Sequence, residues 1–215
     1  MIYTIGGIKG GTGKTTVATN LAIWLTKKGA DVLLVDADEQ ETATDFTAWR
    51  DHTLKGEIGY TAVKLTGDGL RPQVQKLKSK YDHIVIDTGG RDTTSQRAAL
   101  FASDFFLLPF QPRSLDFWTI TKVQNILAEI RAVKPTELKA IAFLNRADTR
   151  SQDNRNAGEA LENNPDIEFI AQQLTNRKAF SNAAGQGLSV IELCPADEKA
   201  VVELNALFNA IVDKV

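Results

Sequence analysis

The stretch Gly6–Thr16, GGIKGGTGKTT, decides how this chain is read. It ends an apolar run that predicts a strand over Ile2–Ile8, and it opens a segment with helical spacing over Thr15–Lys28 that Gly29 closes. In a strand–loop–helix setting, a glycine-rich segment carrying a lysine reads as a phosphate loop rather than a flexible turn. Gly10, Gly11 and Gly13 carry no Cβ, so the backbone N–H groups of the loop, Thr12 included, can converge on phosphate oxygens. The helix N-terminus adds partial positive charge. Lys14 is placed to reach the β- and γ-phosphates, Thr15 to ligate Mg²⁺ through its hydroxyl, and Thr16 to meet an α-phosphate oxygen. The match to G-x-x-x-x-G-K-[ST] is imperfect, because Ile8 stands where the first glycine belongs and Gly7 lies one residue early. The loop also holds an extra lysine, Lys9, which would merely duplicate Lys14 if it served the same phosphates.

Outward from this loop the pattern repeats. Short apolar runs without polar alternation suit strands buried on both faces of a parallel sheet. They fall at Val32–Asp36, Tyr60–Leu65, His83–Asp87, Phe105–Pro109, Ala140–Asn145, Glu168–Ile170 and, last and shortest, Ser189–Glu192. Helical spacing is clearest at Thr42–Asp51, Leu115–Val133 and Asp197–Val215. The prediction is an α/β fold: one domain over residues 1–215 with a mostly parallel, twisted sheet flanked by helices. A net charge of −2 gives no overall basic field of the kind that marks a dedicated nucleic-acid binder. No apolar run is long enough to cross a bilayer, and the start lacks a signal-peptide pattern, so a cytosolic protein is expected. Cys194 is the single cysteine, which excludes an internal disulfide and a thiolate-held cluster within one chain; simple burial is expected of it.

Ligands of such sheets bind beyond the carboxyl ends of the strands, which draws attention to the loops there. VLLVDADEQ ends in Asp36 and Asp38, and HIVIDTGG ends in Asp87 with glycines after it that suggest a mobile switch. An aspartate at a strand end is also a common turn residue, so the acids gain weight only beside the phosphate loop. In GGRDTTSQRAAL, Arg91, Asp92 and Arg97 suit an interface, and a solvated helix start capped by Asp92 or Thr93 suits them equally.

KGGTGKTT, Lys9–Thr16, resembles the deviant Walker A box of the ParA/MinD superfamily of dimerising ATPases, and the likeness extends along most of the chain. The resemblance implies a P-loop NTPase that uses ATP and Mg²⁺. It makes Lys9 the signature lysine that crosses a dimer interface to the partner's phosphates, Asp38 the residue that orients the attacking water, and Lys14 the third member of the catalytic set. It places Asp36 as support for the magnesium region or the loop, and Asp87 at the Walker B position that holds Mg²⁺. Glu39 replaces the proline usual in the D-x-D-P-Q box. Pro109, Pro112, Ser114, Asp116 and Phe117 are similar to a proline-rich stretch in which Pro109 walls the nucleotide, and Asn145 and Arg146 match positions that contact adenine. The segment NRAD, Asn145–Asp148, also resembles the N-K-x-D of GTP-binding proteins, in which Asp148 would accept from guanine.

With no room for an N-terminal helix-turn-helix, the chain is most similar to the small, ParF-like partition ATPases. That likeness implies a homodimer formed on ATP binding, nonspecific DNA binding, a ParB-like adaptor that stimulates slow hydrolysis, a cytoplasmic and nucleoid-associated location, and no membrane association. The cargo could be a plasmid, a chromosome or a protein compartment. Arg177, Lys178 and Arg150 are the candidate DNA contacts, with Arg146 and Arg155 able to extend the patch. Two alternatives stay open: a carboxylate-activating synthetase similar to dethiobiotin synthetase, and a nucleotide-binding scaffold that ignores DNA.

Overall fold

A computed structural model describes residues 1–114, 117–148 and 151–214. Seven strands, β1 (Ile2–Ile5), β2 (Val32–Asp36), β3 (Thr61–Lys64), β4 (His83–Asp87), β5 (Phe105–Phe110), β6 (Lys139–Ala147) and β7 (Glu168–Thr175), form one sheet in the order β3-β2-β4-β1-β5-β6-β7. Every pairing is parallel. Among the described residues eight helices flank the sheet: α1 (Lys14–Lys27), α2 (Thr42–Leu54), α3 (Leu70–Leu77), α4 (Thr94–Ala102), α5 (Phe117–Val133), α6 (Gln152–Glu162), α7 (Lys178–Ala184) and α8 (Glu198–Val212).

The unbroken apolar strands are explained by helices on both faces. Leu34 of β2 belongs to the layer beneath α1 and α8, whereas its neighbours Leu33 and Val35 face α3 and α4. A third cluster joins α5 and α6 to β5 and β6. The chain builds β2, β3 and β4 on one side of β1 and β5, β6 and β7 on the other. That reversal leaves a crevice beyond the carboxyl end of β1, where the phosphate loop begins.

Several boundaries differ from expectation. Ser189–Glu192 is not a strand; Val190–Glu192 is one turn of 3₁₀ helix. A capping box wins there: Ser189 Oγ accepts from Ile191 N, and Ser189 N donates to Glu192 Oε2 at 3.0 Å, so side chains satisfy the backbone that a ladder would have used. β1 stops at Ile5, because Gly6 and Gly7 already begin the loop, and β7 runs past Ile170 to Thr175. Cys194 is exposed rather than buried, in the connection between the 3₁₀ turn and α8. The expected helix start Leu115 and end Val215 lie outside the described residues, as does Asp116.

Candidate nucleotide-binding site

The loop between β1 and α1 turns on two left-handed glycines, Gly11 at φ 77° and Gly13 at φ 87°. A Cβ at Gly13 would lie 2.3 Å from Asn145 Nδ2, so this position needs glycine for space as well as for conformation. Lys14 opens α1 and is almost fully buried, its Nζ donating to the Lys9 carbonyl at 3.0 Å. Burial lowers its pKa, while the nearby Asp87 and Asp38 oppose that effect. The buried Thr12 hydroxyl has no hydrogen-bond partner among the described residues.

Three carboxylates stand over this loop in different states. Asp36 is engaged: it accepts from Asp38 N at 3.1 Å and from both the backbone N and the hydroxyl of Thr44 at 2.8 Å, which fixes the start of α2. Asp38 is half-buried and accepts from Gln40 N at 3.2 Å. Asp87, directly opposite Asp36 in the β2–β4 register, is fully buried, and neither carboxylate oxygen has a hydrogen-bond partner among the described residues. Burial pushes its pKa up to about 7. Thr15, close by without completing a bond, and Lys14 pull it down, whereas Asp36 and Asp38 push it up. A buried carboxyl with two unmet oxygens beside the Thr15 hydroxyl is a donor set that fits a hard dication. Among the described residues no group of three or more His, Cys, Asp or Glu side chains could hold a metal. A cation here would draw its other ligands from phosphate and water, which suits Mg²⁺.

The segment after β4 closes the site from above. A Cβ on Gly90 would lie 2.7 Å from Gly10 N, and one on Gly89 would lie 3.1 Å from Asp38 Oδ1. The two glycines therefore allow backbone to lie directly on the phosphate loop and on Asp38. Thr93 caps α4 by accepting from Gln96 N at 3.1 Å, one of the two caps that the sequence allowed. Gln96 is fully buried, and in the amide orientation assigned from its neighbours its nitrogen donates to the carbonyls of Gly7 and Arg91 at 3.0 and 3.1 Å, tying the two loops together. Sequence reasoning missed Gln96, whose only signal is a polar residue on the inner face of a short helix. Arg97 is held within the chain by Asp92 at 2.7 Å and Glu129 at 2.6 Å. A cleft of about 330 Å³ remains between Gly10, Asp38, Gly89–Arg91 and Ser95.

Residues 3–190 match the model of the CobQ/CobB/MinD/ParA nucleotide binding domain. The chain belongs to this ParA/MinD family. Among its relatives is the maintenance of carboxysome distribution protein A of Halothiobacillus neapolitanus, 29% identical over 212 residues that cover 97% of this chain and 94% of the relative. Among solved structures, apo McdA of Cyanothece superposes with a TM-score of 0.78 at 20% identity, covering 95% of this chain and 98% of that one. A Borrelia burgdorferi plasmid partition protein bound to AMPPNP superposes at 0.77 with 18% identity, covering 100% and 99%. At those identities the two structures attest the fold alone.

As a ParA/MinD-like ATPase, the chain carries its loop, Lys14, Thr15, Asp38 and Asp87 in one crevice. Pro109 lies inside β5, within the expected strand, buried and opposite Phe143. Its missing N–H costs no ladder bond, because β1 pairs with β5 only as far as Leu107. Asn145 and Arg146 reach the phosphate loop itself: Asn145 Nδ2 donates to Thr12 O at 2.6 Å and Arg146 Nη1 to Gly11 O at 3.0 Å. Asp148 accepts from Arg113 Nη2 at 2.6 Å in an exposed ion pair. Of the candidate DNA contacts, Lys178 is exposed, whereas Arg177 donates to Glu203 at 2.6 Å and binds β7 to α8. Arg150 lies outside the described residues. No helix among the described residues is long and apolar enough to cross a membrane.

Proposed function

We propose that this chain is a positioning ATPase whose Mg-ATP-bound form is a face-to-face homodimer that binds DNA without sequence preference, and that an adaptor on its cargo triggers hydrolysis. The observation that carries this reading is the convergence of buried Lys14, unsatisfied Asp87 and half-buried Asp38 around one glycine loop. When bound, Mg²⁺ would neutralise charge on the transferring phosphoryl group, held by Thr15 and Asp87. Lys14 already lies buried in the loop and would exchange the Lys9 carbonyl for phosphate oxygens. Asp38 faces the cleft beside Gly89 and Gly90, where it would hold a water in line. Lys9, on the same loop, would complete the partner's site, since a cation desolvated against a triphosphate gains more than an exposed one. Asp36, with its oxygens engaged by Thr44 and Asp38 N, serves the loop and acts on the metal only through neighbours.

The cargo reading favoured by the relatives is a protein compartment, since the Halothiobacillus relative is named for carboxysome distribution. ATP is favoured over GTP by the bound AMPPNP of the Borrelia protein. The synthetase reading is not favoured, because these relatives, which match nearly the whole chain, are distribution and partition proteins. Filter binding of random-sequence duplex tests the proposal: Asp38→Ala protein with Mg-ATP should retain DNA and with Mg-ADP should not. Equal retention in both states, or none in either, would overturn it.

A further inference from the structure

The carboxyl end of β6 is irregular in a way that regular sheet geometry does not require. Its pairing with β7 shifts register on both sides of Asn145, and Arg146 sits at φ 54°, the left-handed region that a long side chain seldom occupies. Such conformations persist where the surroundings over-determine them. Here the irregularity lets two consecutive residues point at one target. Asn145 Nδ2 takes the Thr12 carbonyl at 2.6 Å while being buried, and Arg146 Nη1 takes the Gly11 carbonyl at 3.0 Å from the surface side. Gly13 is the matching concession on the other side, since any Cβ there would strike the Asn145 amide.

We propose that Asn145 and Arg146 are a backbone clamp that sets the aim of the phosphate loop, acting as positioning residues through the loop and not as contacts to the base. In a trans peptide the C=O and the following N–H point in opposite directions. Holding the Gly11 and Thr12 carbonyls toward β6 therefore turns the N–H groups of Thr12 and Gly13 away from it, into the loop interior where phosphate oxygens are to be received. Without the clamp those two left-handed glycines leave the peptide planes free to flip, and each flip replaces a donor with a carbonyl facing an anion. The Arg146 guanidinium also brings a fixed positive charge to the loop.

This inference rests on reading the loop as a phosphate cradle, and the test separates the two. Calorimetric titration of ATP and of inorganic triphosphate into wild-type, Asn145→Ala and Arg146→Gly proteins distinguishes the loop from the base, because triphosphate has no base. Arg146→Gly removes the side chain while leaving a residue at ease with positive φ, so folding is preserved. The clamp predicts that each variant weakens both ligands by the same factor, about tenfold for loss of one buried or charge-assisted hydrogen bond. Arg146→Lys, which keeps a cation near the Gly11 carbonyl, should recover part of the loss for both. Weakened ATP binding with unchanged triphosphate binding would overturn the clamp and make these residues base contacts. Wild-type protein that binds neither ligand would instead overturn the phosphate-cradle reading and the clamp with it.

Discussion

Replacing Asp87 with Asn should make the nucleotide-free protein more stable as the pH rises, relative to wild type, and the structure sets the size. Full burial lifts the Asp87 carboxyl from the ordinary 3.8 to about 7, with Asp36 and Asp38 adding to the rise and Thr15 and Lys14 opposing it. Between those values the unfolded chain has already lost a proton that the folded protein keeps. The unfolded state binds fewer protons, so stability falls as pH climbs through this window and levels off above about 7. Roughly three pH units at about 1.4 kcal/mol each amount to about 4 kcal/mol, of which about 3 kcal/mol falls between about pH 4.5 and pH 8. Asn is close to isosteric, cannot ionise, and leaves a buried amide whose cost does not vary with pH, so the pH-dependent part of the difference isolates the carboxylate. Urea unfolding of both proteins in chelator across that range should show the difference swinging by about 3 kcal/mol in the variant's favour. A difference that stays flat to within about 1 kcal/mol would refute the claim that this carboxyl is buried without partners. Added Mg²⁺ and ATP should erase the swing for wild type, because the liganded carboxylate is no longer unmet.

Other consequences follow from the same packing. Arg50 is buried and gives two bonds to Glu192, at 2.7 and 2.9 Å, so Glu192→Ala strands a charge and should cost about 3–5 kcal/mol, a fall of about 10 °C in Tm by calorimetry. Arg177→Ala, which releases Glu203, should lower Tm while changing DNA affinity little. Lys178→Ala should do the reverse, leaving Tm in place and reducing the salt slope of DNA binding by about one in filter assays run over a range of KCl.

The sheet was legible because strands buried on both faces write themselves as unbroken apolar runs, and the phosphate loop because glycine, lysine and threonine there have few other uses together. SVIE at Ser189–Glu192 misled for a definable reason: its β-branched pair suggests a strand, yet the Ser-x-x-Glu spacing is itself a capping signature, and the local hydrogen bonds outweighed propensity. The division of labour among the aspartates was only half visible. Alternation along β2 could place Asp36 and Asp38 near the site, but that Thr44 would claim Asp36 depends on how α2 returns to the strand end. Asn145 and Arg146 were found by position, whereas their partners were not, because a backbone carbonyl some 130 residues away, at Thr12 or Gly11, leaves no mark on side-chain spacing. Arg177 failed as a free cation for a similar reason, since Glu203 lies a helix away in sequence.

Closure of two copies around nucleotide, with Lys9 reaching across, is measured most directly by light scattering. In an Asp38→Ala background, which blocks hydrolysis, protein with Mg-ATP should weigh twice the 23.5 kDa of one chain. Adding Lys9→Ala should return it to the mass of a single chain while ATP binding persists. A dimer that survives the loss of Lys9, or a monomer that persists with saturating Mg-ATP when Lys9 is present, would contradict the central claim.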